Sequence, residues 1–322
     1  MKAIIYTQYG SPDVLQFREA PQPTPKDNEV LIKVNAVSIN AADSHLMRAD
    51  PFPVRFAVGL FKPKIHILGA DIAGKVEAAG KNVTQFRVGD EVFGDLSGVG
   101  FGGLAEYVCA PESALAFKPV NLNFEESAAM PMASITALQG LRDIGNIQAG
   151  QKILIYGASG GVGTFAVQIA KSFGAEVTAV CSTSKVDQAR SLGADHVIDY
   201  TREDFAQIIQ RFDLILAANG NRPLADFERA LTLTGTYVLS GGATSQLFEA
   251  MLKGPFRSRA GGKSIKTFVA RPNQADLNTM KELVESGKVK PVIDKRYLLS
   301  ETPAAMRYLE EGHARGKIVI TV

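Results

Sequence analysis

Apolar and polar positions follow two different rhythms along the chain. Residues 1–118 contain short apolar runs, such as EVLIKVNAVSI, DIAGKVEAAG and GDEVFG, that glycine, proline and polar turns interrupt. This pattern predicts short strands in a compact, glycine-rich β-barrel. From about residue 124, segments with apolar residues at helical spacing alternate with apolar runs such as KILIYG and FDLILAA. The second rhythm predicts a parallel sheet with crossover helices.

The last part of the chain holds two predicted amphipathic helices, ADLNTMKELVESG and TPAAMRYLEEG, a strand-like VKPVIDKRYLL and the apolar run KIVITV. We expect KIVITV to return to the first domain. The predicted domains are therefore 1–123 with 288–322, and 124–287. Between residues 241 and 262 a stretch rich in glycine and arginine is expected to be either a mobile loop near a ligand or a solvated surface loop.

The segment KILIYGASGGVG, residues 152–163, carries the strongest functional signal. A predicted strand ends at glycines and is followed at once by an amphipathic helix and a second strand, EVTAV. Such a turn is typical of dinucleotide-binding units, in which glycines let the backbone approach a pyrophosphate at a helix N-terminus. A βα turn that binds nothing is the alternative. The predicted contacts are Gly157, Ser159, Gly160, Gly161, Val162 and Gly163.

Composition narrows the classes of partner. The 322 residues are 46% hydrophobic and 21% charged, which is enough for two domains with cores of their own. A net charge of +2 without a run of like charges argues against nucleic acid or a membrane surface as the main partner, so a small-molecule substrate is expected. The start of the chain, MKAIIYTQYG, does not resemble a secretory leader, and we expect a cytoplasmic protein. Two cysteines, Cys109 and Cys181, exclude a disulfide framework.

The order of barrel, dinucleotide-binding domain and returning strand resembles the medium-chain dehydrogenase/reductase family. The segments ILGADIAGKVEAAGKNVTQFRVGDEVFG, IYGASGGVGTFAVQIAK, SLGADHVIDY and EGHARGKIVI resemble its zinc-independent quinone oxidoreductase and enone reductase branch, and especially chloroplast-envelope quinone oxidoreductases. The resemblance implies an α/β fold with a GroES-like β-barrel catalytic domain and a Rossmann doubly wound parallel-sheet domain. It also implies a homodimer that pairs near TGTYVLSGG and SIKTFVA.

A zinc alcohol dehydrogenase is the alternative within this fold. Its catalytic zinc needs cysteine and histidine ligands. By resemblance, Asn40 stands in place of the first cysteine, Gly69-Ala70-Asp71 replaces a Gly-His-Glu segment, and apolar residues around Met132 replace the second cysteine. We therefore predict that no metal is bound. Hydride transfer without a metal suits quinones and α,β-unsaturated carbonyl compounds, which delocalise the developing charge to their oxygen, better than simple ketones.

Four residues are candidates on the substrate side. The resemblance places Asn40 near the nicotinamide, where its amide could donate to the substrate oxygen, although it could instead cap a turn. Asp43 matches a family acid or is a helix N-cap. His45 could supply a proton, or it is a surface histidine. Thr136 resembles a contact to the nicotinamide, or it is a buried helix threonine.

The end of the second Rossmann strand indicates which dinucleotide is bound. NAD-preferring enzymes usually carry a carboxylate there, whereas this chain reads Cys181-Ser182-Thr183-Ser184-Lys185. Hydroxyls and a lysine suit a 2′-phosphate, so NADPH is predicted to be preferred over NADH by about tenfold or more. Ser182 and Thr183 would donate hydrogen bonds and Lys185 would supply charge, unless it is a solvated helix-start lysine. Tyr200 resembles a family tyrosine beside the adenosine phosphate.

Further cofactor contacts are implied by resemblance for Asn219, Gly241, Gly242 and Lys317, the last of which could equally be a solvated strand lysine. The sequence thus predicts an NADPH-dependent, zinc-free reductase of quinones or α,β-unsaturated carbonyl compounds. Two alternatives stay open: a binding or scaffold protein that holds NADPH without turnover, and a zinc-free alcohol or ketone oxidoreductase.

Overall fold

A computed structural model describes residues 1–52, 54–242, 246, 249–251 and 262–322. The chain divides into two compact units. The first comprises Met1–Ala133, Arg271–Ser286 and Pro291–Val322, and the second comprises Ser134–Ala270 and Gly287–Lys290. Most of the predicted loop between 241 and 262 lies outside the described residues.

The strands and helices of the described residues are numbered here in chain order. The strands are β1 (Lys2–Ile5), β2 (Gln16–Glu19), β3 (Glu29–Ile39), β4 (Asp71–Ala79), β5 (Glu91–Asp95), β6 (Tyr107–Pro111), β7 (Leu115–Phe117), β8 (Lys152–Tyr156), β9 (Glu176–Cys181), β10 (His196–Asp199), β11 (Phe212–Ala217), β12 (Leu231–Leu239), β13 (Ser264–Thr267), β14 (Ile293–Leu298) and β15 (Lys317–Thr321). The helices are α1 (Ala41–Arg48), α2 (Val54–Val58), α3 (Phe124–Ala128), α4 (Pro131–Gln139), α5 (Gly161–Ser172), α6 (Val186–Ser191), α7 (Leu224–Ala230), α8 (Gln274–Glu285) and α9 (Thr302–Glu310).

The first unit is built on a mostly antiparallel seven-stranded sheet. Its strand order is β14-β15-β3-β4-β5-β7, with β6 pairing to β3 as well, and β1 and β2 form a separate hairpin. The long strand β3 is its organising element because it pairs with β4, β6 and β15. The run KIVITV, as β15, lies antiparallel to β3, which confirms that the chain returns to the first domain.

The core of the first unit is centred on β3, most of whose residues are buried. Val30, Ile32 and Val37 on β3 are fully buried and pack with Ile72 on β4 and Ile318 on β15. Burial of these branched side chains excludes water from both sides of β3. Polar side chains that are buried at the ends of these strands are exceptions to this apolar core. They belong to the candidate site described below.

The second unit contains a six-stranded parallel sheet in the order β10-β9-β8-β11-β12-β13. This order is that of a Rossmann doubly wound sheet, and its switch point, where ligands bind in such folds, lies between β8 and β11. On one side of the sheet Tyr156, Phe205, Phe227 and Tyr237 stack with ring centroids 4.8–5.4 Å apart. The α/β fold class predicted from the sequence is confirmed.

Two details differ from the sequence-based expectation. The segment FEESAAMPMASITALQGL does not form one helix. Helix α3 ends before Pro131, because proline has no N–H to donate inside a helix and its ring clashes with the preceding turn, and α4 begins at that proline. The unit borders also lie elsewhere than predicted. Helix α3 packs on β3 and β4, and Gln274 at the start of α8 donates to the carbonyl oxygen of Leu115, so both segments join the first unit.

No helix in the described ranges is long and apolar enough to cross a membrane.

Candidate active site

The glycine turn after β8 has the geometry that its sequence predicts. Gly157 has a φ of +80°, in the left-handed region that favours glycine, and it ends the strand. A Cβ at Gly163 would lie 2.1 Å from the carbonyl oxygen of Gly157 and 2.7 Å from the backbone of Ala158. Only glycine at 163 therefore lets helix α5 start this close to the strand.

Helix α5 begins directly in this turn, with Gly160 as its extended N-cap. The first turn of a helix leaves backbone N–H groups without an intrahelical acceptor, and the helix dipole adds positive potential there. Gly161, Val162 and Gly163 form that turn, and Ser159 is buried beside it. The arrangement can bind the pyrophosphate of a dinucleotide.

The ends of β11 and β12 close around the same turn. Asn219 follows β11, and its Cβ would lie 3.2 Å from a Cβ placed on Gly157. Gly220 donates its N–H to the carbonyl oxygen of Gly241 at 2.8 Å and forms a parallel bridge with Gly242, whose φ is +128°. The structure thus brings Asn219, Gly241 and Gly242 to the carboxyl ends of the strands at the switch point. Thr136 lies elsewhere in the second unit, buried in α4.

The segment after β9 forms a short 3-10 turn, Thr183–Lys185, with Ser182 as its N-cap. The Thr183 hydroxyl donates to Asp199 Oδ2 at 2.5 Å, and Thr201 Oγ1 donates to Asp199 Oδ1 at 2.7 Å. The Thr183 proton is therefore engaged within the protein. Tyr200 next to Asp199 is 58% exposed, as a residue that stacks on or binds a ligand must be.

Asn40, in the first unit, lies at the junction of β3 and α1. Its backbone N–H donates to Asp43 Oδ2 at 2.8 Å, so Asn40 is the N-cap of α1 and Asp43 is the third residue of that helix, whose side chain binds back to the cap. The alternative in which Asp43 is itself the N-cap is wrong. Asp43 Oδ1 accepts a second bond, at 2.8 Å, from the N–H of Gly69. His45, one turn further, is exposed, and its Nδ1 is 2.8 Å from the carbonyl oxygen of Asp50. The structure brings Asn40 and Asp43 together, and His45 points elsewhere.

The functional residue that sequence reasoning missed is Asp71, the first residue of β4. Its side chain is fully buried and receives bonds from Ser38, Asn40, Lys317 and the N–H of Met132. Lys317 is only 3% exposed, so it is not the solvated strand lysine of the alternative interpretation. A carboxylate inside the apolar run ILGADIAG and a lysine at the head of KIVITV were the available signals, because buried charges occur in pairs.

Burial dominates the electrostatics of this cluster. It raises the pKa of Asp43 to about 6, although the N–H groups of Gly69 and Asn40 act in the opposite direction. It also raises the pKa of Asp95 on β5 to about 7, and the nearby charge of Asp71 adds to that effect. Asp95 accepts a bond from the N–H of Ser97 at 2.8 Å. Three carboxyl groups thus share a region with a single buried ammonium group among the described residues, that of Lys317.

The donor set does not fit a catalytic zinc ion. Asn40 Oδ1 and Asp71 Oδ2 are oxygens that could reach a metal, but both bind the Lys317 ammonium, which takes the place of a cation. Among the described residues no group of three or more His, Cys, Asp or Glu side chains is arranged to hold a metal. Cys109 lies on β6 and Cys181 lies on β9, in different units.

Comparison with known proteins agrees with this architecture. Residues 26–120 match the alcohol dehydrogenase GroES-like domain, and residues 192–320 match a zinc-binding dehydrogenase domain. The chain is 38% identical to 2-methylene-furan-3-one reductase of Solanum lycopersicum and 35% identical to an NADPH-dependent alkenal/one oxidoreductase of Arabidopsis thaliana, over 99% of this chain and 79% of each relative. The quinone oxidoreductase of Coxiella burnetii superimposes with a TM-score of 0.87 at 31% identity, covering 100% of this chain and 99% of that one.

Fold and glycine turn together define a dinucleotide-binding protein of the alcohol dehydrogenase-like class. The chain belongs to the medium-chain dehydrogenase/reductase family, in the branch of quinone oxidoreductases and enone reductases, and the resemblance found in the sequence is confirmed. Chloroplast-envelope quinone oxidoreductases are among its relatives, and others are named as mitochondrial, so a cytoplasmic location stays a prediction.

Proposed function

We propose that this protein is an NADPH-dependent, zinc-free reductase that transfers hydride to quinones or α,β-unsaturated carbonyl compounds. The observation that carries the proposal is the glycine turn at the switch point, where Gly163 leaves no room for a side chain. The names of the relatives point to the same chemistry, namely enone, alkenal and quinone reduction. The first unit would act as the substrate domain and the second as the cofactor domain.

Bound NADPH would supply the hydride. The N–H groups at the start of α5 would hold the pyrophosphate, and Ser182 and Lys185 would bind the 2′-phosphate. Because the Thr183 hydroxyl proton is held by Asp199, Thr183 would shape this loop rather than donate to the phosphate. Asn219, Gly241, Gly242, Thr136 and Tyr200 would complete the cofactor contacts proposed from the family resemblance.

Asn40 would donate to the oxygen of the substrate. One of its Nδ2 hydrogens bonds Asp71 at 3.0 Å, whereas the other makes a contact of 3.4 Å to the carbonyl oxygen of Ser38. A bond of that length is weak, so the same N–H can donate a hydrogen bond to a substrate oxygen at little cost, without the amide turning over. A conjugated substrate delocalises charge to that oxygen, and the proton that completes reduction can come from solvent.

Steady-state oxidation of NADPH with a panel of quinones, enals, enones and simple ketones tests the proposal. The expected result is a higher kcat/KM for conjugated substrates than for ketones of the same size. NADPH should be preferred to NADH by about tenfold, and Lys185→Ala should remove most of that preference. Faster turnover of ketones would contradict the substrate class. Tight binding of NADPH without turnover of any substrate would instead favour a binding protein.

We also propose that two copies pair through β13, the last strand of the second unit's sheet among the described residues. Leu233 on β12 and Val269 just after β13 are 82% and 88% exposed, which is unusual for large apolar side chains near a sheet edge. Light scattering should give twice the mass of one chain, and Val269→Lys should shift the protein toward the monomer. A wild-type protein that stays monomeric at high concentration would contradict this pairing.

A further inference from the structure

The buried carboxylate of Asp71 is the centre of a hydrogen-bond network whose partly exposed members are Asn40 and Met132. Its Oδ2 accepts from Ser38 Oγ at 3.0 Å, from Asn40 Nδ2 at 3.0 Å and from Lys317 Nζ at 3.2 Å, and its Oδ1 accepts from the N–H of Met132 at 2.8 Å. Ser38, Asp71 and Lys317 are buried, whereas Asn40 and Met132 are partly exposed, and Met132 joins the network only through its backbone N–H. Among the side chains of this network, the Asn40 amide is therefore the group that can meet a ligand.

Lys317 and Asp71 allow a single orientation of the Asn40 amide. The Lys317 ammonium can only donate, and it bonds Asn40 Oδ1, while the Asp71 carboxylate can only accept, and it bonds Nδ2. A flipped amide would place NH2 against the ammonium and C=O against the carboxylate. Both attractive contacts would become repulsive, in a region where low dielectric strengthens the repulsion.

The backbone holds the three side chains in place. Ser38 near the end of β3 pairs with Asp71 on β4, and Ile39 pairs with Ile318 on β15, next to Lys317. The central strand β3 thus brings both charged residues to the point at which it ends and Asn40 begins the turn into α1. A site on paired strands keeps its geometry better than one on a loop.

We propose that Asp71 and Lys317 are positioning residues that fix the Asn40 amide so that the Nδ2 hydrogen not bound by Asp71 can donate to the reacting oxygen. Lys317 also draws electron density toward Oδ1, which makes the N–H groups of the same amide better donors. The pair has no contact with substrate in this scheme and acts only through Asn40. The proposal rests on the proposed function for the role of Asn40, but the fixed orientation of the amide is a separate claim.

Nuclear magnetic resonance of the protein labelled with 15N-asparagine tests the orientation without any substrate. The Asn40 side-chain amide, assigned by its loss in Asn40→Ser, should show slow exchange with solvent in the wild-type protein. Asp71→Asn and Lys317→Met should each make that exchange faster by about tenfold or more. The matched control is Asp276→Asn, which removes a buried carboxyl group of the same unit near the start of α8 and should leave the signal unchanged. Unchanged exchange in Asp71→Asn and Lys317→Met would overturn the proposal.

Kinetics then distinguish positioning from mere stability. Each single variant leaves one buried charge without its partner, so Asp71→Asn and Lys317→Met should lower both the melting temperature and, by about tenfold, kcat. The double variant has balanced charges again and should recover the melting temperature. Its kcat should stay low, because the amide is no longer fixed. Recovery of kcat together with stability would show a structural role only.

The last comparison tests whether Asp71 acts on the reaction through Asn40. In an Asn40→Ala background, Asp71→Asn should lower kcat no further, with KM for NADPH changed less than twofold throughout. An equal loss in both backgrounds would contradict action through Asn40. If single variants do not fold, the double variant carries both tests. If the wild-type protein reduces no substrate, the proposed function fails, and the exchange measurement still decides the orientation of the amide.

Discussion

The hydroxyl of Thr183 donates to the carboxylate of Asp199, with 2.5 Å between Oγ1 and Oδ2. This bond joins the loop after β9 to the end of β10, and it is the first cause that holds the pKa of Asp199 below its usual range. Asp199 thus keeps a negative charge beside the segment proposed to bind a 2′-phosphate. Because the Asp199 carboxylate accepts the bond from Thr183, its charge is partly compensated within the protein. The same bond holds the loop in the shape that presents Ser182 and Lys185.

Replacing Thr183 with valine should therefore weaken NADPH binding. Valine has the same shape but leaves Asp199 with one donor fewer, and a less occupied carboxylate repels the 2′-phosphate. We expect KM for NADPH to rise by about three- to tenfold, as for one lost hydrogen bond to a charged group, with KM for NADH nearly unchanged. The control is Thr201→Val, which removes the 2.7 Å bond to the other oxygen of Asp199 and the 2.9 Å contact between the two threonine hydroxyls, but leaves the bond from Thr183 to Asp199 in place. Equal effects of both variants on NADPH would contradict this account.

Two glycines of the cofactor turn should respond differently to alanine. At Gly163 the new Cβ would lie 2.1 Å from a backbone oxygen, so the turn must open, and the free energy of unfolding should fall by about 1–3 kcal/mol. At Gly160 the nearest heavy atom would be 3.7 Å away, an ordinary contact. Gly160→Ala should therefore fold with a stability within about 0.5 kcal/mol of the wild-type protein.

NADPH binding by these two variants separates folding from close approach. If Gly160 is needed because the pyrophosphate lies against its backbone, Gly160→Ala should bind NADPH more weakly despite its normal melting curve. Calorimetric unfolding and NADPH fluorescence titration measure the two effects. Normal NADPH affinity in Gly160→Ala would place the pyrophosphate elsewhere on the turn.

Sequence patterns predicted the elements of this fold well because strand and helix periodicity are local properties. The run EVLIKVNAVSI is strand β3 with the same first and last residues, and KIVITV pairs with it as expected. Helical spacing continues across Pro131 and favoured one helix there, although a proline is itself a signal for a helix border, and the structure begins a new helix at this residue. The predicted borders placed 124–133 and 271–286 in the second domain, whereas the structure groups both segments with the first unit. Sequence periodicity does not indicate which distant segments pack together.

The candidate site shows the same division between local and distant information. The turn at Gly157–Gly163 consists of consecutive residues, so its role could be predicted from the sequence. The network of Asn40, Asp71 and Lys317 joins residues as far as 277 positions apart, and only pairing with β3 brings them together. Lys317 and Asp71 were visible as charges in apolar runs, but their partnership required the structure.

Activity should not depend on a metal. Lys317 holds the place between Asn40 Oδ1 and Asp71 Oδ2, and zinc would have to displace a buried ammonium from a site with oxygen donors only. Dialysis against a strong chelator should leave kcat and KM within about twofold of their original values, the scatter expected for an unchanged site. Added zinc should not raise activity. Loss of activity that zinc restores would contradict the site as described.

Stability should fall as pH rises from about 5 to 8, in part because of Asp95. Burial raises the pKa of this carboxyl group to about 7 in the folded protein, above its ordinary value of 3.8. Between these two values the folded state keeps a proton that the unfolded state releases, so the stabilising effect of Asp95 is present at low pH and is lost as pH rises through the folded pKa. Asp95→Asn removes the titration but keeps the acceptor for the N–H of Ser97.

The difference between wild-type protein and Asp95→Asn isolates this one group from all other carboxylates. Asp95→Asn should gain roughly 1–3 kcal/mol of stability relative to wild type between pH 5 and pH 8, since each pKa unit corresponds to about 1.4 kcal/mol. Asp199→Asn is the control without pH dependence in this range, because the pKa of Asp199 is lowered by its hydrogen bonds and the group is ionised in both the folded and the unfolded state above pH 5. Urea unfolding at the two pH values measures both. Parallel pH profiles for wild type and Asp95→Asn would contradict this prediction. They would mean that the pKa of Asp95 lies near its ordinary value, and that neither burial nor the charge of Asp71 raises it.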